Sequence, residues 1–503
     1  MLSTAPLSIS SRIPLTRERA ANLLGSLEGY RLYVAANRAP VHHILSDGQP
    51  DAQPSAGGLV TALASVANYV PLTWIAAASG GGDRLIGEIG PRGRPLPGLP
   101  RIKYVAASET ALSHSYHRFA NPILWFLQHD MFDRLRASSL AGMDSGWITG
   151  YRPVNHAFAA AIEREMVGVA RPIVLTQDYH LYLLPTLLRR RRSDVLIQHF
   201  THIPWPAPDR WNSLLPSIRR ELHVGLLGAD VAGFQTQDSV NHFLRSCELF
   251  VPGARVDYSR DTVWLDGRQT RVRAYPISVD PAYLRRVATL PETAVYKRRL
   301  RPLLGERTIV RVDRMDPSKN IALGFRAFGL LLERRPELVG RIRFLAFLVP
   351  SREAIPEYQS YAQEVWAEVE RVNARFAEGG RPPIEVFYED NRHQAIAGMA
   401  LADVLLVNPV ADGMNLVAKE GPVVSERDAV LVLSKSCGAY RQLASGALSV
   451  EPTDPKTTAS MLERALEMPQ AERVRRLSVL RSALDAEDLA WWIRSQLTDL
   501  FNY

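Results

Sequence analysis

Short runs of Val, Ile, Leu and Phe, each bounded by polar or turn residues, alternate with longer amphipathic stretches along nearly the whole chain. The runs are Leu32 to Ala36, Ile173 to Thr176, Leu196 to Phe200, Val231 to Phe234, Thr308 to Val312, Arg343 to Val349, Val404 to Val407 and Ala429 to Leu433. Continuous apolar runs of this length suit strands of parallel sheets covered by helices on both faces. Between them, Ala322 to Arg335 and Glu353 to Phe376 have helical spacing, the second with acids and bases placed for contacts along a helix surface. The fold class is therefore α/β. The rhythm changes at Tyr275-Pro276-Ile277, where a charged helical stretch runs to Leu304 before a new strand begins. This predicts domains over 1–280 and 281–485, with 486–503 as a terminal helical segment packing on them through Trp491, Trp492, Ile493 and Leu497. No internal repeat is evident.

Composition narrows the class only slightly. The 503 residues are 46% hydrophobic and 22% charged, which excludes a disordered or disulfide-stapled chain and leaves room for two cores. A net charge of +8 favours anionic ligands such as phosphorylated metabolites. The excess is dispersed. Its one tight run, Arg189 to Arg192, follows the apolar Leu181 to Leu188 and reads as the C-terminal end of a helix, where cations complement the dipole, so nucleic-acid binding is not expected. The two cysteines, Cys247 and Cys437, form no ligand set with the nearby His242, and no metal or other cofactor is expected. No run approaches the ~18 apolar residues of a membrane span, and Met1 to Ala20 lacks a signal-peptide core, which predicts a cytoplasmic protein without membrane association.

Ligands of open α/β sheets bind beyond the C-terminal ends of the strands, so the polar residues that follow predicted strands are the candidates for chemistry. After Val310 comes Arg311-Val312-Asp313-Arg314-Met315-Asp316-Pro317-Ser318-Lys319. Arg314 and Lys319 flank a Pro-containing turn and could converge on one diphosphate, although the same residues equally suit surface ion pairs with Asp313 and Asp316. After Val407, Asp412-Gly413 forms a turn that opens a helix near Asn415. Asp412 could accept from a sugar hydroxyl while helix N-terminal amides meet phosphate and Glu420 takes further hydroxyls. An Asp there is also a common N-cap, the plainer reading of that residue alone. Asp178 and His202 follow two strands of the first half and could orient hydroxyls or move a proton, though a lone His is more often structural. Asn37-Arg38 follows the first strand, and Gly57-Gly58 permits close backbone approach to a ligand.

Taken together, these stretches resemble the trehalose-6-phosphate synthase family from Arg31 to about Leu489. The matching motifs are A-N-R-A-P (Ala36 to Pro40), S-A-G-G-L (Ser55 to Leu59), Y-H-R-F-A-N-P-I-L-W (Tyr116 to Trp125), Q-D-Y-H-L (Gln177 to Leu181), H-I-P-W-P (His202 to Pro206), L-L-G-A-D-V-A-G-F-Q-T (Leu226 to Thr236), V-D-R-M-D-P-S-K-N (Val312 to Asn320), P-S-R (Pro350 to Arg352) and D-G-M-N-L-V-A-K-E (Asp412 to Glu420). The resemblance implies a GT-B fold, two Rossmann-like domains facing across a deep cleft, and transfer of glucose with retention from a nucleotide-diphosphate glucose to glucose 6-phosphate. It also extends to pseudo-glycosyltransferases that make validoxylamine phosphate.

By this resemblance Arg314 and Lys319 neutralise the diphosphate, and Asp412 with the amides of Gly413, Met414 and Asn415 holds the donor glucose. Leu416 and Val417 meet phosphate, Glu420 takes the ribose, and Gly58 approaches the diphosphate. Arg38, Tyr116 and Arg352 bind the acceptor, beside Trp125 as an aromatic wall, while Asp178 accepts from a hydroxyl and His202 touches the donor sugar. No metal is required. Three departures bear on substrate. Trp74-Ile75-Ala76-Ala77 lacks the second aromatic of the family's W-x-G-W, which suggests a wider acceptor pocket. Asp390 replaces an apolar residue near the base, and its carboxylate suits the N1–H and N2–H of guanine, so GDP-glucose is favoured slightly over UDP-glucose. Gly421 to Asp428 resembles the pseudo-glycosyltransferase branch. The alternatives are a glucosylglycerol-phosphate synthase, a validoxylamine-phosphate-type enzyme, or a silent sugar-nucleotide-binding regulator. A homo-oligomer is compatible with each.

Overall fold

The computed structural model describes residues 27, 29–46, 49–54, 72–89 and 100–502; Ser55 to Leu59, and with it Gly58, lies outside these. The chain divides between Tyr275 and Pro276 and again between Trp492 and Ile493, so that the final residues rejoin the first unit. The terminal helix, Leu489–Phe501, crosses the second division and is not a separate body. The reason is visible at its end. Tyr275 donates its hydroxyl to Asp499 at 2.6 Å, and Arg271 donates to the carbonyls of Asp499 at 3.2 Å and Asn502 at 2.7 Å.

In the first unit the strands are β1 (Arg31–Ala36), β2 (Val41–Ser46), β3 (Gln49–Pro54), β4 (Leu72–Ala76), β5 (Arg101–Tyr104), β6 (Pro172–Gln177), β7 (Leu196–Phe200), β8 (Val231–Phe234), β9 (Arg255–Asp257), β10 (Thr262–Leu265) and β11 (Arg268–Ala274). Nine of them form one sheet in the order β5-β4-β1-β6-β7-β8-β11-β10-β9, while β2 and β3 pair separately as a hairpin. The pairings from β5 to β11 are parallel. Tyr33, Ala35, Val174 and Ile197 pack one face against Val154, Phe158 and Ile162 of the helix Arg152–Glu165. On the other face Leu32, Val34, Leu72 and Leu175 meet Ile493, Gln496 and Leu497 of the terminal helix. Both faces are covered, which is why these strands read as unbroken apolar runs.

The run-based reading omitted β2 to β5, β9 to β11, β14 and β17. The turn between β10 and β11 is a two-residue Asp266-Gly267 hairpin with φ of 49° and 76°, a pair of left-handed residues whose twist matches the flanking strands.

The second unit holds β12 (Arg307–Arg314), β13 (Ile342–Val349), β14 (Ile384–Tyr388), β15 (Val404–Val407), β16 (Val430–Ser434) and β17 (Leu448–Val450), all parallel, in the order β14-β13-β12-β15-β16-β17. Counted along the chain this is 3-2-1-4-5-6, the doubly wound dinucleotide-binding order. Ile309, Phe344, Leu348, Leu406 and Val432 meet Phe325, Phe328 and Leu331 of the helix Ile321–Arg334. The predicted helix from Glu353 begins instead at Pro356, the residue suited to a first helical turn, because Arg352 adopts φ +51° and breaks the helical path before it.

Two core imidazoles make the first unit acid-sensitive. Burial pushes the pKa of His199 down to about 3 and that of His223 down to about 4. The unfolded chain protonates both at about 6.5, so between these values it binds more protons than the folded form. Stability therefore falls as the pH drops below about 6.5, by up to about 1.4 kcal/mol per pH unit for each imidazole. Urea midpoints measured from pH 7 to 4.5 should fall steeply, and less so in His223→Gln.

Candidate active site

In the parallel part of each large sheet the strand order reverses at one point, and Arg38, Asp178, Arg314, Lys319 and Asp412 lie at or just beyond the ends of the strands that meet there. In the second unit the reversal lies between β12 and β15. Asn320 and Asn408 exchange side-chain to carbonyl hydrogen bonds of 3.1 and 3.3 Å across it, fastening the turn after one strand to the turn after the other. β12 runs two residues further than its apolar pattern and ends at Arg314, which leaves Lys319 on the short helical turn Pro317–Lys319. Wholly buried Arg311 supports this turn from below, pairing with Asp313 at 2.8 Å and donating to the Lys319 carbonyl at 3.1 Å. A Cβ on Gly324 would lie 2.3 Å from that guanidinium, so glycine makes room for it.

Lys319 donates to Asp412, which also accepts from Asn415 Nδ2 at 3.1 Å. Burial works against the Lys319 charge, but the Asp412 carboxylate outweighs it and holds the ammonium above its ordinary pKa. The ion pairs foreseen with Asp313 and Asp316 are thus half realised. Arg314 lies 3.7 Å from Asp316, whereas Asp313 belongs to Arg311 and Lys319 to Asp412. The helix expected near Asn415 starts at Val417. Asn415 takes φ +74° and caps the amide of Ala418 at 3.1 Å, while the Met414 amide donates to Asp412 Oδ1 at 3.3 Å. Only Leu416 and Val417 therefore stand at the true helix entrance. Glu420, on that helix, lies 3.6 Å from Arg392, and burial raises its pKa against the pull of that cation.

Arg352 is nearly buried in the second unit, where it pairs with Asp316 at 3.0 Å and reaches the Tyr358 hydroxyl. Asp390 stands exposed just beyond β14, next to Asn391, which caps Gln394 and donates to Tyr296. The polar residues of Gly421 to Asp428 are spent on architecture: Ser425 accepts from Ala429, Glu426 pairs with Lys297, Arg427 with Asp403, and Asp428 accepts from Gln470.

In the first unit the reversal lies between β1 and β6, which end at Ala36 and Gln177. Arg38 is exposed there and donates to the Tyr116 hydroxyl at 3.3 Å, while Trp74, wholly buried, donates its indole N–H to the Arg38 carbonyl at 3.0 Å. Tyr116 lies in the first turn of a π-helix, Ser115–Trp125, whose wider turn is bridged by Asn121 Nδ2 to the Tyr116 carbonyl at 2.9 Å. Asp178 takes φ +69°, a strained setting for a side chain, and its carboxylate accepts from the His202 amide at 3.1 Å. Trp125 does not stand at the surface; it is 4% exposed and stacked on His129 at 4.1 Å. Ala77, where the second aromatic is missing, packs in the core cluster with Val105 and Ala111.

Among the described residues no group of His, Cys, Asp and Glu is arranged to hold a metal ion, and no helix is long and apolar enough to cross a membrane. The family model for glycosyltransferase family 20 matches residues 30–502. The chain belongs to glycosyltransferase family 20. Its two units are the Rossmann-like domains of the GT-B fold. It is 33% identical over 478 residues to a bifunctional trehalose-6-phosphate synthase/phosphatase of Thermoproteus tenax, covering 92% of this chain and 62% of that longer one. It is 30% identical to the validamine 7-phosphate valienyltransferase of Streptomyces hygroscopicus subsp. jinggangensis, covering 94% and 95% of the two chains. A UDP-forming α,α-trehalose-phosphate synthase of Burkholderia xenovorans, solved in complex with glucose-6-phosphate, superposes with a TM-score of 0.79 at 29% identity, covering 93% and 99%.

In this family 20 chain, one supporting element was not read from sequence. The turn Ser436 to Ala439 after β16 backs the Asp412 loop: Gly438 donates its amide to the Asp412 carbonyl at 2.9 Å, while Ala439 N at 2.9 Å and Cys437 Sγ at 3.0 Å donate to that of Met414. A Cβ on Gly438 would lie 1.8 Å from the Gly413 carbonyl oxygen. A Cys-Gly pair after a strand is the only local signal of it.

Proposed function

We propose that this glycosyltransferase moves glucose from a nucleotide-diphosphate glucose to glucose 6-phosphate with retention, giving α,α-trehalose 6-phosphate. The observation that carries this reading is the gathering of Arg314, Lys319 and Asp412 where the strand order of the second unit reverses. In it Arg314 and Lys319 hold the diphosphate and stabilise the charge that grows on it as the C1–O bond breaks. Asp412 holds the glucose hydroxyls and Glu420 the ribose. Arg38 and Tyr116 bind the acceptor's phosphate and sugar, and Asp178 accepts from a hydroxyl. The acceptor hydroxyl forms the new bond to C1 on the face the diphosphate leaves, and its proton passes to the departing phosphate oxygen. The transfer needs no metal in this scheme.

Purified protein supplied with UDP-glucose or GDP-glucose, crossed with glucose 6-phosphate or glycerol 3-phosphate, tests the reading. Trehalose 6-phosphate formed only with glucose 6-phosphate supports it, whereas turnover with glycerol 3-phosphate or with no pair overturns it. The valienyltransferase relative, alike over nearly its whole length, supports a cyclitol-coupling enzyme as the second reading.

For the donor base, the exposed carboxylate of Asp390 favours guanine, which offers it two N–H groups, over uracil, which offers one. Asp390→Asn should lower the ratio of GDP-glucose to UDP-glucose kcat/KM by about tenfold, the scale of one hydrogen bond to a charged group. An unchanged ratio removes Asp390 from base recognition.

A further inference from the structure

We propose that Gln177 and Gln235 are positioning residues that hold His202 as a neutral imidazole with its proton on Nε2, so that His202 takes up no proton during turnover. This rests on the glucosyl transfer proposed above. The three residues come from adjacent strands: Gln177 ends β6, His202 lies two residues beyond β7, and Gln235 directly follows β8. Because β6, β7 and β8 are neighbours in the sheet, the histidine is flanked by a glutamine on either side. Its Nε2 lies 2.9 Å from Gln177 Oε1, and its Nδ1 lies 3.4 Å from Gln235 Nε2.

A glutamine oxygen only accepts and a glutamine amide nitrogen only donates. Nε2 therefore carries the hydrogen and Nδ1 presents its lone pair. An imidazolium would turn an Nδ1–H against the Gln235 N–H. Both amides are buried beside the ring, Gln177 being 1% and Gln235 3% exposed. The titratable groups around the ring do not favour a charge. The Asp178 carboxylate is engaged by the His202 backbone amide, and His199 is held neutral in the core. Burial separately pushes the His202 pKa down to about 3. With this imidazole already committed at both nitrogens, the proton of the acceptor hydroxyl has its acceptor in the departing diphosphate.

The test reads the imidazole directly. Ring 15N NMR of histidine-labelled protein should show His202 as the neutral Nε2–H tautomer throughout pH 5.5 to 8. Gln235→Glu places a carboxylate against Nδ1 and should make His202 an imidazolium at pH 7. In that variant kcat should fall at least tenfold, and its pH profile should gain a limb that recovers as the pH rises through the new His202 pKa. If Gln235→Glu does not fold, the double variant Gln177→Met/Gln235→Met removes both partners and should release a mixture of tautomers. A wild-type His202 that titrates between pH 5.5 and 7.5, an Nδ1–H tautomer, or a Gln235→Glu profile that superimposes on the wild type would overturn the proposal. A locked Nε2–H tautomer in a protein that transfers no glucose would overturn the proposed function and leave the assignment of the two glutamines standing.

Discussion

Lys319→Ala should lower kcat for nucleotide release by about 10²–10³-fold, the cost of removing one preorganised group that stabilises transition-state charge. Lys319 is suited to that role because Asp412 fixes its ammonium and keeps it charged, while Arg311 and Asp316 set the turn that carries it. Stability should fall by about 1–3 kcal/mol, since Asp412 retains donors in Asn415 Nδ2 and the Met414 amide. Steady-state kinetics beside a urea unfolding curve separates the two effects. A kcat within threefold of wild type would reduce Lys319 to a structural partner of Asp412.

Gly438→Ala is expected to cost about 10²-fold in kcat although Gly438 itself touches no substrate in the proposed reaction. The added methyl would lie 1.8 Å from the carbonyl oxygen of Gly413, a backbone atom with no rotamer to yield. The Asp412 to Asn415 loop must move by more than an ångström to clear it, and a misplacement of about 1 Å in a positioning element is enough for a loss of that size. A stability loss of about 1–3 kcal/mol should accompany it, as in other overpacked sites. Gly80→Ala, where a Cβ meets nothing within 4 Å, is the control and should leave both kcat and the unfolding midpoint unchanged. An active Gly438→Ala enzyme would show that the turn after β16 merely lies beside the sugar loop.

The eight apolar runs of the sequence all became strands, since each is buried on both faces and its pattern must say so locally. Arg38, Asp178, Arg314 and Asp412 were legible for a related reason, as polar residues just beyond such runs. Among the strands that escaped, β14 is a half-buried edge, β9 and β17 are only three residues long, and β11 scatters its apolar residues among polar ones, whereas β4 was passed over although it is buried throughout.

The sequence by itself determined the α/β class, most of the sheet-forming segments, and the chemical types waiting at their C-terminal ends, because strand burial and turn chemistry act within a few residues. The tertiary structure alone decided which of those residues meet. It joined Lys319 to Asp412 across 93 residues, gave Arg352 to Asp316, set Gln177 and Gln235 on either side of His202, and put Gly438 behind the sugar loop. Those partners are fixed by strand order and by how closely two backbones approach, and neither leaves a mark on the local pattern from which a sequence is read.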